Sequence, residues 1–569
     1  MRQAWRLARS GAGDRLVGLF GVIIGVIIGV IPGGCRPVPV GAVAPLAPDA
    51  GAAADAGGPT RSSLYPLDWS PGLPGLPDGQ GRFLPDFSYA GYRNGEQELP
   101  TAPGGPLLSV LAYGADPTAA RDSTAAIQAA IDAAGAAGGG VVLLPAGRYR
   151  CDGVLTVDWS GVVVRGAGPE QTFVYFTRVQ GMSYAAHLTL RGKLSAAAPL
   201  ELAADGEARS PVVQLADARS LNPGDDVSVG WAITPEFIAE HAMTDVWTAF
   251  TGQWKPIFRR RVLAVDTTTT PHRVTLDVPL RYPAKRRDRA AVQRETGYLT
   301  GCAVEQLALA NAVGWTEAWS QNQVHVLTLS AVKDCWVRAV RSFAAPLSAP
   351  AGYHLQSSGI LVKDSKRVTL RSCALQKAQN RGDNGNGYLF EISTSSEILT
   401  KDCTAQDGRH NFIQNWDFGA SGLVWSGCKS AGSRSFQDAG DRTGLAAASE
   451  YHHSLAMACL VEQTEIADAW QALNRLYFSS GAGHTATQSV FWNNRGGGRL
   501  LSLQYGWGYV IGTAGLTVLT ELAGLSGQGS EPEDFVEHVD LDQRGSTLTP
   551  SSLYEDQLQR RVQRGERLW

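Results

Sequence analysis

Several things this chain lacks narrow its chemistry at once. None of its eight cysteines forms a Cys-x-x-Cys pair, so metal-ligand spacing of the zinc type is absent. An excess of either charge is missing: 50 Lys and Arg stand against 53 Asp and Glu. The net charge of −3 leaves no global footprint for nucleic acid. Charged residues make up only 18% of the chain, and histidines number ten. What is abundant is glycine, 65 residues, and tryptophan, 15 residues, in a chain that is 44% hydrophobic. That balance suits an all-β, turn-rich protein with aromatic surfaces. At 569 residues there is room for two or three domains, or for one long repetitive one.

The N-terminus reads as an export signal. Arg2, Arg6, Arg9 and Arg15 precede the apolar run VGLFGVIIGVIIGVI, and small residues follow. Gly33-Gly34-Cys35 resembles a bacterial lipoprotein cleavage box, with Pro32 where such boxes usually carry Leu. The expected location is therefore secreted or anchored in the cell envelope, with membrane attachment through a lipidated Cys35. Residues 36–63 are rich in Ala, Pro and Gly and read as a flexible tether.

The most specific signal is SVLAYGADPTAARDSTAAIQAAIDAAGAAGGGVVLLPAGRYR, residues 109–150. It reads as strand, turn, amphipathic helix, glycine break, strand and turn. Ala126, Ile127, Ala130 and Ile131 supply the helix's apolar stripe. Asp122 or Ser123 is placed to cap its start and Gly135 to end it. YGADPTAARDSTAAIQAAID and GGGVVLLPAGRY resemble the opening of the pectate-lyase-like superfamily. The resemblance implies an all-β fold, a right-handed parallel β-helix whose first coil is covered by an N-terminal capping helix. A bare sheet edge templates aggregation, so a cap is physically expected.

Later sequence supports coils independently. VKDCWVRAV, LRSCALQKA, TKDCTAQDG and WSGCKSAGS place Cys335, Cys373, Cys403 and Cys428 in comparable settings, at separations of 38, 30 and 25 residues. Such an irregular period fits coils with loop insertions, and the cysteines read as one buried ladder of small side chains. Residues 195–300 differ, alternating apolar and polar positions between turns, and read as an inserted β subdomain. The basic run AKRRDRAAVQR within it reads as a solvated loop, with an acidic polymer as the alternative partner. The expected division is a signal (1–35), a linker (36–63), cap and first coils (64–194), the insertion (195–300), groove-bearing coils (301–520), and a tail (521–569) with a short helix. That helix carries Leu553, Tyr554, Gln557 and Leu558 on one side and arginines at its surface.

A parallel β-helix has no deep pocket, so a polymer should lie in a groove walled by loops. QNRGDNGNGYLFEI, QDGRHNFIQNWDFG and SEYHHSLAMACL carry the polar and aromatic residues for one. Acting on a uronate requires a partner for the carboxylate, a base for the proton on the adjacent carbon, and an acid for the leaving oxygen. His410 is nominated as base, Arg409 with Asn411 as carboxylate clamp, and Tyr388 or His453 as proton donor. Asn415, Asp407, Trp416 and His484 are nominated as substrate contacts. The alternatives are structural: hydrogen bonding for His410, a salt bridge from Arg409 to Asp407 or Asp417, and an asparagine ladder for Asn411 and Asn415. No metal ligand is assigned. Glu450, His452 and His453 with His410 or His484 form an alternative divalent site, and RGDNGN an alternative calcium loop.

Polygalacturonases share this scaffold but carry an Asn-Thr-Asp, an Asp-Asp, a Gly-His-Gly and an Arg-Ile-Lys motif, and this chain has none of them. The basic signatures of the classical pectate lyases are missing too. The expected activity is β-elimination of an acidic polysaccharide. An inverting glycoside hydrolase drawing on Asp383, Glu391, Asp402, Asp407 or Asp417 is the alternative, with a non-catalytic glycan-binding protein third. The expected partner is polysaccharide rather than nucleic acid, for a monomer or small homo-oligomer.

Overall fold

One position per coil runs the length of the molecule. Leu108 pairs with Val142, and the same register continues through Val164, Val304, Val337, Leu370, Thr400, Trp425, Val461, Phe491, Val510 and Val536. Every pairing is parallel. Most of these side chains are buried in one continuous apolar core. Each buried aliphatic side chain contributes roughly 1.5–3 kcal/mol, which is why β-branched and aromatic residues recur there. This computed structural model describes residues 60–71, 78–102, 104–435, 447–521, 534–541 and 548–569, all within the unit Gly57–Trp569. The signal read over residues 1–35, with Cys35, and nearly all of the 36–63 linker lie outside the described residues.

Each coil adds a strand to parallel ladders. One is a ten-stranded sheet that includes Ala186–Arg191, His325–Ser330, Ser358–Lys363, Tyr388–Ser393, His410–Gln414, Ser449–Tyr451 and Ala469–Ala472. Successive strands stand about 4.8 Å apart, so residues distant in sequence become neighbours. The architecture is a parallel β-helix.

Corners between strands explain the cysteines. Gly301, Asp334, Ser372, Asp402, Gly427 and Ala458 all adopt left-handed backbone, and each is followed by a cysteine. All seven cysteines from Cys151 to Cys459 are buried and free. The expected single ladder is two. Cys335 pairs in register with Val368 and stacks on Cys302, whose N–H donates to its Sγ at 3.3 Å. Cys373, Cys403 and Cys428 occupy a different corner. A coil has more than one left-handed corner, and both types turn a small side chain inward, so one sequence motif served two positions.

The helix Thr124–Ala136 packs Ile127, Ala130, Ile131 and Ala134 into the main core beside the first coils. Gly135 does not end it. It lies inside the helix under Trp159, where a Cβ would stand 2.2 Å from the indole. Asp122 Oδ1 accepts the N–H of Thr124 at 2.9 Å, while Ser123 Oγ accepts that of Asp116.

Between Arg191 and Leu299 the chain leaves the coils and builds an antiparallel sheet. Its two stems meet where the Lys193 N–H donates to Gly297 O at 2.8 Å. The insertion has its own core around Trp231, Phe237, Trp247 and Phe258, shared with Phe418, Leu455 and Met457 of the solenoid. Buried ion pairs cross the same junction: Arg281–Glu397 at 2.7 Å and Arg367–Asp277 at 3.3 Å. In the basic run Arg287 pairs with Glu240 and Asp288. In the C-terminal helix Leu553–Gln563, Ser552 accepts the Glu555 N–H as N-cap. Arg561, expected at the surface, is fully buried and pairs with Glu96 at 2.5 Å.

Candidate functional site

The ten-stranded sheet turns its outer face into a groove of about 1040 Å³. Loops before the strands form one wall: Met182 to Ala185, Gln323, and Asp383 to Gly385. Residues at the strands' far ends, Lys363, Asn415, Trp416, His452 and His453, form the other, with Ser479 and Ser480 beyond. From Ala186–Arg191 to Ser449–Tyr451 the floor crosses five strand intervals, about 24 Å. Arg178, Arg191, Lys363 and Arg409 line the groove against Asp383 and Glu391, so its balance is cationic.

At one end lies a cluster centred on Glu450. This carboxylate is fully buried. It accepts from His452 Nδ1 and Gln471 Nε2, pairs with Arg475 at 2.7 Å, and lies 3.2 Å from His410 Nδ1. Burial pushes its carboxyl up, but Arg475, His410 and His452 outweigh that and hold it well below the usual carboxylate range. It is an anion throughout the neutral range. His452 is the ring it orients. With Nδ1–H given to Glu450, the neutral tautomer carries its lone pair on Nε2, and the ring lines the groove. Burial and then Arg475 pull its pKa below the ordinary histidine value, against the upward push of Glu450. Tyr388 shares the groove, its ring centroid 6.1 Å from that of His452. Burial raises its phenol far above the ordinary value, so it stays protonated.

Several nominated residues meet here, and several roles change. Tyr388 and His410 pair in register, with ring centroids 5.0 Å apart, and His410 lies 5.4 Å from His452. His410, nominated as base, does not line the groove. It is 1% exposed, its Nδ1–H is given to Ala448 O at 2.7 Å, and burial lowers it to about 3. Nor is His453 a proton donor. Its Nε2–H goes to Ser479 O at 2.9 Å and its Nδ1 accepts from Ser454 Oγ, so both nitrogens are spent beneath Trp416. Asn411 cannot join a clamp, since its buried amide donates to Ser430, Ala431 and Asp468. Arg409 lines the groove and donates to Gly382 O at 3.0 Å; neither predicted carboxylate is its partner. Asp417 pairs with Lys255 at 2.6 Å, and Asp407 sits outside the groove, 3.7 Å from Arg434. His484 is buried at the insertion's junction, between Trp247 and Tyr505, away from the groove. Asn415 and Trp416 do line it, and Trp416 is 50% exposed.

Sequence reasoning missed three members: His325, Arg475 and Gln471. His325 donates to Glu391 at 2.8 Å, and Asn415 donates to the other oxygen of that carboxylate at 2.7 Å. Arg475 lies beyond any motif. The only available signal was register: Glu391, Ile413, Glu450 and Gln471 occupy one column.

His410, Glu450 and His452 bring three ligand atoms within 4.8 Å of one another, the one such group found among the described residues. A cation there would share Glu450 with the Arg475 guanidinium and compete for His410 with the Ala448 carbonyl. The set fits proton chemistry better. In the RGDNGN loop, Asn386 is spent on Gln323 and Asp383.

Residues 107–186 match the family model described as rhamnogalacturonase A/epimerase, pectate lyase-like. The resemblance to the pectate-lyase-like superfamily read from the sequence stands on this match. Over 74 residues, 12% of this chain and 4% of the relative, the chain is 52% identical to mannuronan C5-epimerase AlgE3 of Azotobacter vinelandii. Over 69 residues, 11% of this chain and 8% of the relative, it is 46% identical to alginate lyase 7 of the same organism. The chain thus spans only a small part of either relative. Among solved structures it is similar to the tailspike protein gp49 of Pseudomonas phage LKA1, with a TM-score of 0.45 and 13% identity over 72% of this chain and 64% of that one. The A-module of the A. vinelandii epimerase AlgE4 gives 0.27 and 10% over 79% and 99%. The segment matched by the family model contains none of His410, His452 or His453.

Proposed function

We propose that the protein is a carbohydrate-active enzyme that modifies an acidic polysaccharide by removing the proton beside a uronate carboxylate, with β-elimination as the outcome. The observation that carries this reading is the Glu450–His452 pair, which leaves a neutral imidazole nitrogen as base on a cationic groove. His452 Nε2 takes the proton from the carbon bearing the carboxylate. The electron pair left behind forms a carbon–carbon double bond as the bond to the leaving oxygen breaks, and Tyr388 protonates that oxygen. Arg409 lies at the groove to offset the carboxylate's charge.

Hydrolysis is less well supported. It requires a carboxyl free to act as acid, and a second free to act as base. Glu450 is held ionised with both oxygens occupied, and Glu391 is occupied by His325 and Asn415, which leaves Asp383 as a single groove carboxylate where two are required. The relatives named epimerase and lyase share this first step, while the matched family model is named for rhamnogalacturonase A as well as an epimerase. Incubation with a panel of uronate polymers should raise absorbance near 235 nm as the double bond forms. Solvent deuterium in a polymer of unchanged length would instead mean epimerisation, and reducing ends without absorbance would overturn the reading. The proposed setting is the cell envelope or its exterior, from the signal ending at Cys35. Labelling with a fatty-acid probe that is lost on Cys35→Ser tests the anchor.

A further inference from the structure

We infer that the groove holds a second sugar-binding subsite at Tyr184, remote from the reacting centre, through which the protein grips long acidic chains; this rests on the reading above. Tyr184 lines the groove beside the strand Ala186–Arg191, whereas His452 follows Ser449–Tyr451, five intervals or about 24 Å away. The reacting centre therefore sits at one end of a one-sided channel, and the polymer's longer arm lies toward Tyr184.

Three observations mark Tyr184 as more than surface decoration. Its ring is 68% exposed, which forfeits the burial an aromatic usually gains. Its backbone is left-handed at φ 62, a conformation bulky residues avoid and one that persists at ligand clamps when neighbours impose it. Those neighbours are present. The Tyr184 N–H donates to Asn322 O at 2.9 Å, and Ser183 donates to Gln321 Oε1 through both its N–H and its hydroxyl at 3.0 Å. The next loop is fixed in turn, as the Gln323 N–H donates to Asn386 Oδ1 at 2.8 Å and its side chain to Asn384 O at 3.0 Å. Loops from three coils thus hold one wall, and the backbone that carries the ring needs no further ordering on binding. Arg178 lines the same end, as does Arg191, whose guanidinium also pairs with Asp158 at 2.9 Å. A flat apolar ring beside cations is the chemistry that receives a uronate: its hydrogen-bearing face stacks and its carboxylate is neutralised.

Tyr184→Gly separates this role from a structural one. Glycine tolerates the left-handed backbone, so the variant should melt no lower than the parent while losing the ring. The assay is calorimetric binding, in a His452→Gln background, of alginate and polygalacturonate, each as polymer and as a size-selected trimer. Polymer affinity should fall about fivefold or more in Tyr184→Gly and hold in Tyr184→Phe, with trimer affinity unchanged. The inference is overturned if the glycine variant binds polymer as the parent does, if it loses polymer and trimer alike, or if the parent binds neither polymer. Failure of the functional reading looks different: polymer binding would depend on Tyr184, but the protein with His452 intact would turn over none of the polymers.

Discussion

The two ends of the groove floor share a backbone and differ in everything else. A single outward column reads Thr156, Thr189 and Thr328 at one end, then Leu361, Glu391, Ile413, Glu450 and Gln471 at the other. At the first end the solenoid presents neutral hydroxyls that need no partner. At the second it buries a carboxylate and surrounds it with two imidazoles, an amide and a guanidinium. A parallel ladder fixes the position of an outward side chain but not its chemistry. Within this column, buried charge is confined to the second end, at Glu391 and Glu450.

That contrast can be broken or sharpened by measurement. The largest effect is expected at His452. His452→Gln should lower kcat by about 10²–10⁴, the usual contribution of a positioned base, with the thermal melt unchanged. Full initial rate at 235 nm in that variant would end the assignment. Next comes Glu450→Gln, which leaves the partly buried Arg475 without its anion and should cost about 1–3 kcal/mol in urea unfolding, besides losing activity. Stability equal to the parent's would mean the cluster is not held as described.

Acid should reveal the same end of the groove. His410 and His453 are kept neutral by burial, each lowered to about 3. Unfolded, they would titrate at about 6.5, so their contribution is complete above that pH and is lost progressively as pH falls toward 3. Melting temperature should therefore decline below about pH 6.5, and His453→Gln should flatten the decline. A smaller effect is expected at the aromatic wall, where Trp416→Ala should raise KM about fivefold with little change in kcat. Smallest of all, Thr189→Val, in the column of Glu450, should alter stability by less than about 0.5 kcal/mol. A large loss there would erase the difference between the two ends.

The scaffold was legible because its signal is local. The helix Thr124–Ala136 and the strand Gly140–Leu144 are contiguous, and their periodicities are short. The repeated Cys settings announced coils for the same reason, but not the corners that the Asp-Cys, Ser-Cys and Gly-Cys steps occupy. The site was half legible. Tyr388, His410, His452 and Trp416 could be gathered by composition, because polar and aromatic residues crowd those loops. Their roles could not, because a histidine's role depends on what its two nitrogens touch. Ala448 and Ser479 decide that for His410 and His453 through backbone carbonyls, which no sequence pattern displays. His325 and Glu391 are 66 residues apart in sequence and only the register brings them together.

The meeting of Lys193 and Gly297 carries a consequence for how the molecule tolerates change. An excursion that leaves and rejoins at one point adds no offset to the rungs beyond it, so each keeps its phase. Through Phe250 the excursion props Trp416 and His453 from outside, at 6.2 and 5.5 Å. The shoulder of the cleft is thus free to be reshaped while the rungs that hold Glu450 and His452 keep their places.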